Sequence, residues 1–130
     1  MAWTDEYVGV PYAIHGRDMN GLDCWGLVRS VYQSELGIAL PCYANDYVSA
    51  IDEEGLGNAY AIEMEQWDEQ EEPAELDVVW CMIAGMECHC GIYLQGHRML
   101  HAMQGVDSHI VDLNKVAWQR RVQKWYRLPR

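Results

Sequence analysis

The stretch Gly21-Leu22-Asp23-Cys24-Trp25-Gly26-Leu27-Val28-Arg29 most constrains what this chain can fold into. Leu27, Val28, Val31, Tyr32 and Leu36 recur at helical spacing, so residues 24–36 are expected to form a helix with one apolar face against a core. Gly21 and Asp23 read as turn and cap residues before it, and Gly37 as the stop after it. Cys24 then sits on the first turn, where the positive end of the helix dipole lowers a thiol's pKa and enriches the thiolate. A lone cysteine in such a place is more often a small buried hydrophobe. Two downstream segments favour a nucleophile instead: Cys88-His89-Cys90-Gly91-Ile92-Tyr93-Leu94 and Met99-Leu100-His101-Ala102.

Around that helix the pattern divides the chain in two. A short helix is expected over residues 3–9 with Thr4 or Asp5 as cap, then a loop through Pro11 and Gly16–Gly21. A second helix is expected over residues 45–62, capped by Asn45 or Asp46 and interrupted by Gly55 and Gly57. The run from Asp52 to Asp77 is strongly acidic, which reads as a solvated loop or as a docking face for a basic partner. After Pro73 the texture becomes period-two, with strands expected at 77–84, 88–94, 98–103, 108–112 and 122–127. Gly85, Gly96 and Gly105 punctuate them as hairpin turns would. Six of the nine basic residues lie in the C-terminal stretch, where they offset the acidic run. The outline is α+β: helices first, then an antiparallel sheet with a helix packed on one face.

A chain of 130 residues is expected to form one domain over 1–130. Its formal charge of -11 argues against a nucleic-acid partner and against adsorption to anionic lipid. Five cysteines without paired spacing do not make a disulfide framework, and a reducing cytoplasm suits them. Neither a signal-peptide pattern nor a run of membrane-spanning length is expected from the sequence.

A cysteine nucleophile needs a base, and a third group that fixes the base's tautomer. Of His15, His89, His97, His101 and His109, strand alternation singles out His89, which points with Gly91 and Tyr93 away from the apolar row of Cys88, Cys90, Ile92 and Leu94. The cysteine helix is expected across the sheet on the His89 side. A three-residue loop, Gln95-Gly96-His97, places His101 on the same face as His89, with Cβ atoms ~5–8 Å apart. A two-residue turn would separate them. Zinc is the competing reading of Cys88-His89-Cys90, but neighbours on a strand diverge and the spacing is not that of a zinc site. No metal or cofactor is therefore expected. His97 and His109 read as surface or turn residues, and His15 as a loop residue that could line a cleft.

With Cys24, His89 and His101 in this order, the chain resembles the NlpC family of papain-like cell-wall cysteine peptidases. The resemblance is carried by Tyr7-Val8-Gly9-Val10-Pro11-Tyr12, the Gly16-Arg17-Asp18 loop, Asp23-Cys24-Trp25-Gly26-Leu27-Val28, His89-Cys90-Gly91-Ile92-Tyr93-Leu94 and Met99-Leu100-His101-Ala102. It spans about Tyr7 to Tyr126. It implies a papain-like α+β fold, Cys24 as nucleophile, His89 as base and His101 as the orienting third member. It also implies a thioacyl intermediate and peptidoglycan stem peptides as substrate. Asp23 would recognise a substrate amine, Tyr12 would contact the nucleophile's surroundings, and the Cys24 N–H would serve an oxyanion. Many members have Ser where Trp25 stands. Trp25 would reshape the substrate subsites, and with the Gly-Arg-Asp loop it is similar to the phage tail-assembly and tail-tip branch. That branch implies phage tail proteins as partners and delivery by a virion after cytoplasmic synthesis. Its alternative is a weakly catalytic or non-catalytic module of tail assembly, and transfer to an amine is a further alternative to hydrolysis.

Overall fold

The computed structural model describes residues 2–49, 52–83 and 86–129. The first element is a 3₁₀ helix over Trp3–Tyr7, shorter than the expected helix, with Ala2 at the cap position and no capping side chain in place of Thr4 or Asp5. It stops early because the chain turns to pair elsewhere. Gly9 takes φ 86, its N–H donates to the Ser108 carbonyl at 2.8 Å, and Val10 accepts from Ser108 N–H at 2.8 Å. The loop before Cys24 folds into a small antiparallel hairpin of β1 (Arg17–Asp18) and β2 (Gly21–Leu22).

Helix α1 runs over Cys24–Leu36, as its spacing predicts. Asp23 is its N-cap, accepting from the Gly26 N–H at 2.8 Å, and Gly37 closes it at φ 67. Gly26 is required here, because a Cβ would lie 2.0 Å from the Gly16 carbonyl oxygen. Helix α2 spans Glu53–Met64, later than expected, and the cap is Asp52, which accepts from Gly55 N–H at 3.0 Å. Asn45 and Asp46 lie ahead of it in a turn. Gly55 does not interrupt the helix; its missing Cβ admits the Asp46 carbonyl, which a methyl would meet at 2.5 Å. Residues 50 and 51 of the expected helix lie outside the described residues.

Six strands form one sheet: β3 (Asp68–Gln70), β4 (Val78–Ile83), β5 (Met86–Leu94), β6 (Arg98–Met103), β7 (Val106–Asp112) and β8 (Val122–Arg127). Their order is β3-β8-β4-β5-β6-β7, with antiparallel neighbours throughout. A one-turn helix α3 (Val116–Gln119) precedes β8. The helices α1 and α2 cover one face, where Leu27, Val28, Val31, Leu56 and Tyr60 pack on Val78, Cys90, Ile92 and Leu100. A smaller cluster on the other face joins Val79, Cys81, Tyr93 and Met99 to Leu113 and Trp118.

The acidic run is not one solvated loop. It contains α2 and β3, and two of its carboxylates are buried. Glu63 accepts from Tyr43 Oη and Trp67 Nε1, both at 2.9 Å. Asp77 takes both prongs of Arg127 at 2.8 and 2.9 Å, tying the start of β4 to the end of β8. With Lys124 3.6 Å from Glu69, the C-terminal basic residues do offset acidic ones. Among the described residues no helix is long and apolar enough to cross a membrane.

Candidate active site

Helix α1 packs on the Cys90, Ile92 and Leu94 row of β5, the face opposite to the one expected. The reason is hydrophobic: that row is the apolar one, and the stripe of α1 needs an apolar surface. His89 projects from the other face and still reaches Cys24. It lies beyond the paired segment of β5 and β6, whose register runs Ile92↔Leu100, Tyr93↔Met99 and Leu94↔Arg98, and Cys24 stands at the very start of α1. Both residues line a cavity of about 230 Å³, together with Tyr12, Asp23, Tyr47 and Leu56.

The loop between β5 and β6 is Gln95-Gly96-His97, three residues long, with Gly96 at φ 84. His89 and His101 consequently share a face. His89 Nε2 lies 2.9 Å from His101 Nδ1, with both rings buried and close to perpendicular. Gly91 admits the neighbouring strand closely: a Cβ there would sit 2.7 Å from Met99 Cγ and Sδ and 2.9 Å from the Leu100 carbonyl oxygen. Trp118 packs against both rings, its centroid 4.9 Å from that of His101 and 6.5 Å from that of His89. Burial, followed by the charges of His89, His109 and Arg121, pushes the His101 imidazole down to about 2, so this ring is neutral.

Cys24 is 9% exposed, and its Sγ lies 3.1 Å from Tyr60 Oη. Its pKa is lowered well below that of an ordinary thiol. A hydrogen bond from the Cys90 thiol contributes most, followed by the hydrogen bond and charge of His89 and then the Tyr60 hydroxyl, against the opposing effect of burial. Tyr60 and Cys90 are the counterpart, both raised, with burial leading in each case.

Asp23 is buried and fully engaged. Oδ1 accepts from Gly26 N–H and from Arg17 Nη1 at 2.7 Å, and Oδ2 accepts from His15 N–H at 2.9 Å and from the Tyr47 hydroxyl. Four donors fill the acceptor sites of one carboxylate, so a substrate amine would have to displace one of them. The direction of its pKa is upward, from burial first and the Cys24 charge second, against the lowering effects of Tyr47 and Arg17. Arg17 also donates to the Cys42 carbonyl at 2.8 Å and to Tyr47 Oη at 2.7 Å, so the Gly-Arg-Asp loop braces the start of α1.

Tyr12 stands in the cavity wall. Trp25 does not open onto a subsite. It is 1% exposed in the core, donates from Nε1 to the Pro41 carbonyl at 2.7 Å, and packs on Tyr43 and Tyr60. Tyr60, on which it packs, is the residue whose hydroxyl lies beside Cys24 Sγ. The spacing of Trp25 with Val28 and Tyr32 on one helical stripe is the sequence signal for that burial. His15 anchors the loop, its Nε2 2.7 Å from the Tyr47 carbonyl oxygen. His97 pairs with Tyr93 Oη at 3.3 Å. His109, read from sequence as a surface or turn residue, lies on β7 with its ring centroid 4.6 Å from that of His101 and the planes tilted by 56°. The Cys88 side chain lies outside what is described, while His89 and Cys90 enter different clusters on the two faces of β5. Sequence patterns missed Tyr60, Tyr47 and Cys90, whose roles arise from the docking of α2 and the 40–47 loop.

Known proteins share this fold. Residues 9–127 match the model of the NlpC/P60 family. Among curated proteins, the murein DD-endopeptidase MepS/murein LD-carboxypeptidase of Escherichia coli K12 is 22% identical over 116 residues, 89% of this chain and 54% of that protein. The chain thus spans about half the length of the curated relatives it matches. Among solved structures, a lipoprotein-like NLP/P60 family protein of Staphylococcus aureus Mu50 superposes with a TM-score of 0.66 at 28% identity, covering 98% of this chain and 40% of that one. The NlpC/p60 domain of the peptidoglycan hydrolase SagA gives 0.61 at 20% identity, covering 98% and 92%. The fold is accordingly the papain-like α+β arrangement, and the chain belongs to the NlpC/P60 family.

Proposed function

We propose that the protein is a cysteine peptidase or amidase that hydrolyses peptidoglycan stem peptides through Cys24, His89 and His101. The observation that carries this reading is the convergence on one cavity of a low-pKa thiol and a histidine whose far nitrogen is held by a second, neutral histidine. The curated relatives are murein peptidases, which supports the substrate class. In this reading His101 is the neutral tautomer whose Nδ1 accepts from His89 Nε2–H, leaving His89 Nδ1 for the thiol and then for the leaving amine. The Cys24 thiolate attacks the scissile carbonyl, and its own N–H, unpaired within the helix, donates to the oxyanion. The amine leaves with a proton from His89, and water then releases the acyl group from sulfur.

Tyr12 contacts the substrate in this reading, whereas Asp23 preorganises the nucleophile's turn. The phage or prophage origin, with phage tail proteins as partners, rests on the Gly16-Arg17-Asp18 loop and Trp25.

Digestion of purified cell walls tests the main reading. Release of soluble peptides by the wild-type chain should vanish in Cys24→Ala, and unchanged release in that variant would end it. Product analysis with added amine acceptors separates transfer from hydrolysis. A second reading, a tail-assembly module with little turnover, is favoured by the small exposure of Cys24 and its turn toward Tyr60. Alkylation near pH 6 decides between the two. Selective labelling of Cys24 that collapses in His89→Ala supports the peptidase, and labelling no faster than Cys42 or Cys81 supports the module.

A further inference from the structure

The hydrolytic reading uses one thiol, yet the structure brings a second against it. Tyr60 Oη lies 3.1 Å from Cys24 Sγ and 3.6 Å from Cys90 Sγ, so both sulfurs flank one hydroxyl. The two differ in access. Cys24 lines the cavity, while Cys90 is 1% exposed and does not line it. Cys81 belongs to the opposite cluster, against Met99, and Cys42 is exposed on a loop.

We propose that Cys90 is a resolving thiol for Cys24, converting peroxide damage at the nucleophile into a reversible Cys24–Cys90 disulfide. This rests on Cys24 being a reactive thiolate, not on the identity of any substrate. In the first step the thiolate attacks one oxygen of a hydroperoxide. The S–O bond forms as the O–O bond breaks, sulfur gives up two electrons, and the alkoxide or hydroxide departs. In the second step Cys90 sulfur attacks the sulfenic sulfur; the S–S bond forms, the S–O bond breaks, and the departing hydroxide takes the Cys90 proton to leave as water. The first step prepares the second. Burial keeps the Cys90 thiol protonated, and so do the hydrogen bond and negative charge of Cys24, both of which the oxidation removes. A small-molecule dithiol reverses the linkage by exchange, returning two thiols and leaving its own disulfide.

The test treats the full chain with a small excess of hydrogen peroxide, more than the two equivalents that a sulfinic acid consumes, then quenches, alkylates and digests it without reductant. The expected product is lighter by two hydrogens and carries a linked peptide whose fragment ions place the bond at Cys24 and Cys90 rather than Cys88. Dithiol should restore both thiols to alkylation. In Cys90→Ala, Cys24 should proceed to a sulfinic acid, heavier by two oxygens and not recovered by dithiol. Sulfinic acid at wild-type Cys24, formed as fast as in Cys90→Ala, would overturn the proposal and leave the peptidase reading intact. A Cys24 that does not react with peroxide would overturn the proposal together with the reactive thiol beneath it. Should Cys90→Ala fail to fold, peptide mapping of the wild type decides alone.

Discussion

His89 and His101 meet through one nitrogen each, Nε2 to Nδ1 at 2.9 Å, although they stand on different strands and His101 has no contact with solvent. In the proposed mechanism the second ring is an orienting group. His101→Ala should lower kcat/KM about 10²-fold by freeing the base from its productive angle, with little change in KM. His101→Asn, which offers an amide oxygen near the same place, should recover part of the loss. Equal activity in wild type and His101→Ala would refute this, with cell-wall peptide release as the readout.

The neutral state of His101 also makes stability depend on pH. Its folded pKa of about 2 lies below the ordinary 6.5, so in this window the unfolded chain binds a proton that the native chain does not. Stability therefore rises with pH across the window and is lost as pH falls below 6.5, by up to about 1.4 kcal/mol per unit. Urea midpoints between pH 7 and pH 4 should fall more steeply for wild type than for His101→Asn. Parallel curves would contradict the assignment.

Asp23 holds a cap, an arginine and a tyrosine at once. Asp23→Ala removes a helix cap and leaves the largely buried Arg17 charge unpaired, for a destabilisation of about 3–5 kcal/mol. Adding Arg17→Met should return part of that, because no charge is then stranded. Simple additivity of the two changes in denaturant unfolding would argue that Arg17 and Asp23 do not act as a unit.

Trp25 separates stability from recognition. Trp25→Ser empties a core position beside Tyr43 and Tyr60 and should destabilise by about 3–5 kcal/mol. Since the indole does not reach the cavity, KM for a cell-wall peptide should stay near the wild-type value at temperatures where the variant is folded. A large KM change with intact stability would return Trp25 to the substrate wall.

What could be read from the residues follows the range of the interactions. Strand β4 is a continuous run of apolar, β-prone residues, and helix α1 carries its own stripe, cap and stop, so both are legible. The odd loop at Gln95–His97 was enough to place two histidines on one face. Strand β3 was not legible: Asp68, Glu69 and Gln70 are poor strand formers, and they are extended because β8 supplies the hydrogen-bonding partner. The start of α2 slipped for a similar reason, since Asp46 offers a capping side chain but packing against Gly55 gives that role to Asp52. Tyr60, Cys90 and the Arg17–Tyr47 contact depend on which segments meet in space. No local pattern carries that information.

The place of β8 has a consequence for timing. In the sheet it lies between β3 and β4, while in the chain it follows every residue of the site. A chain synthesised from its N-terminus displays the nucleophile early, then makes both histidines, and still lacks the strand that fills the gap beside β4. Until β8 is made, the residues proposed for the site stand on an incomplete sheet.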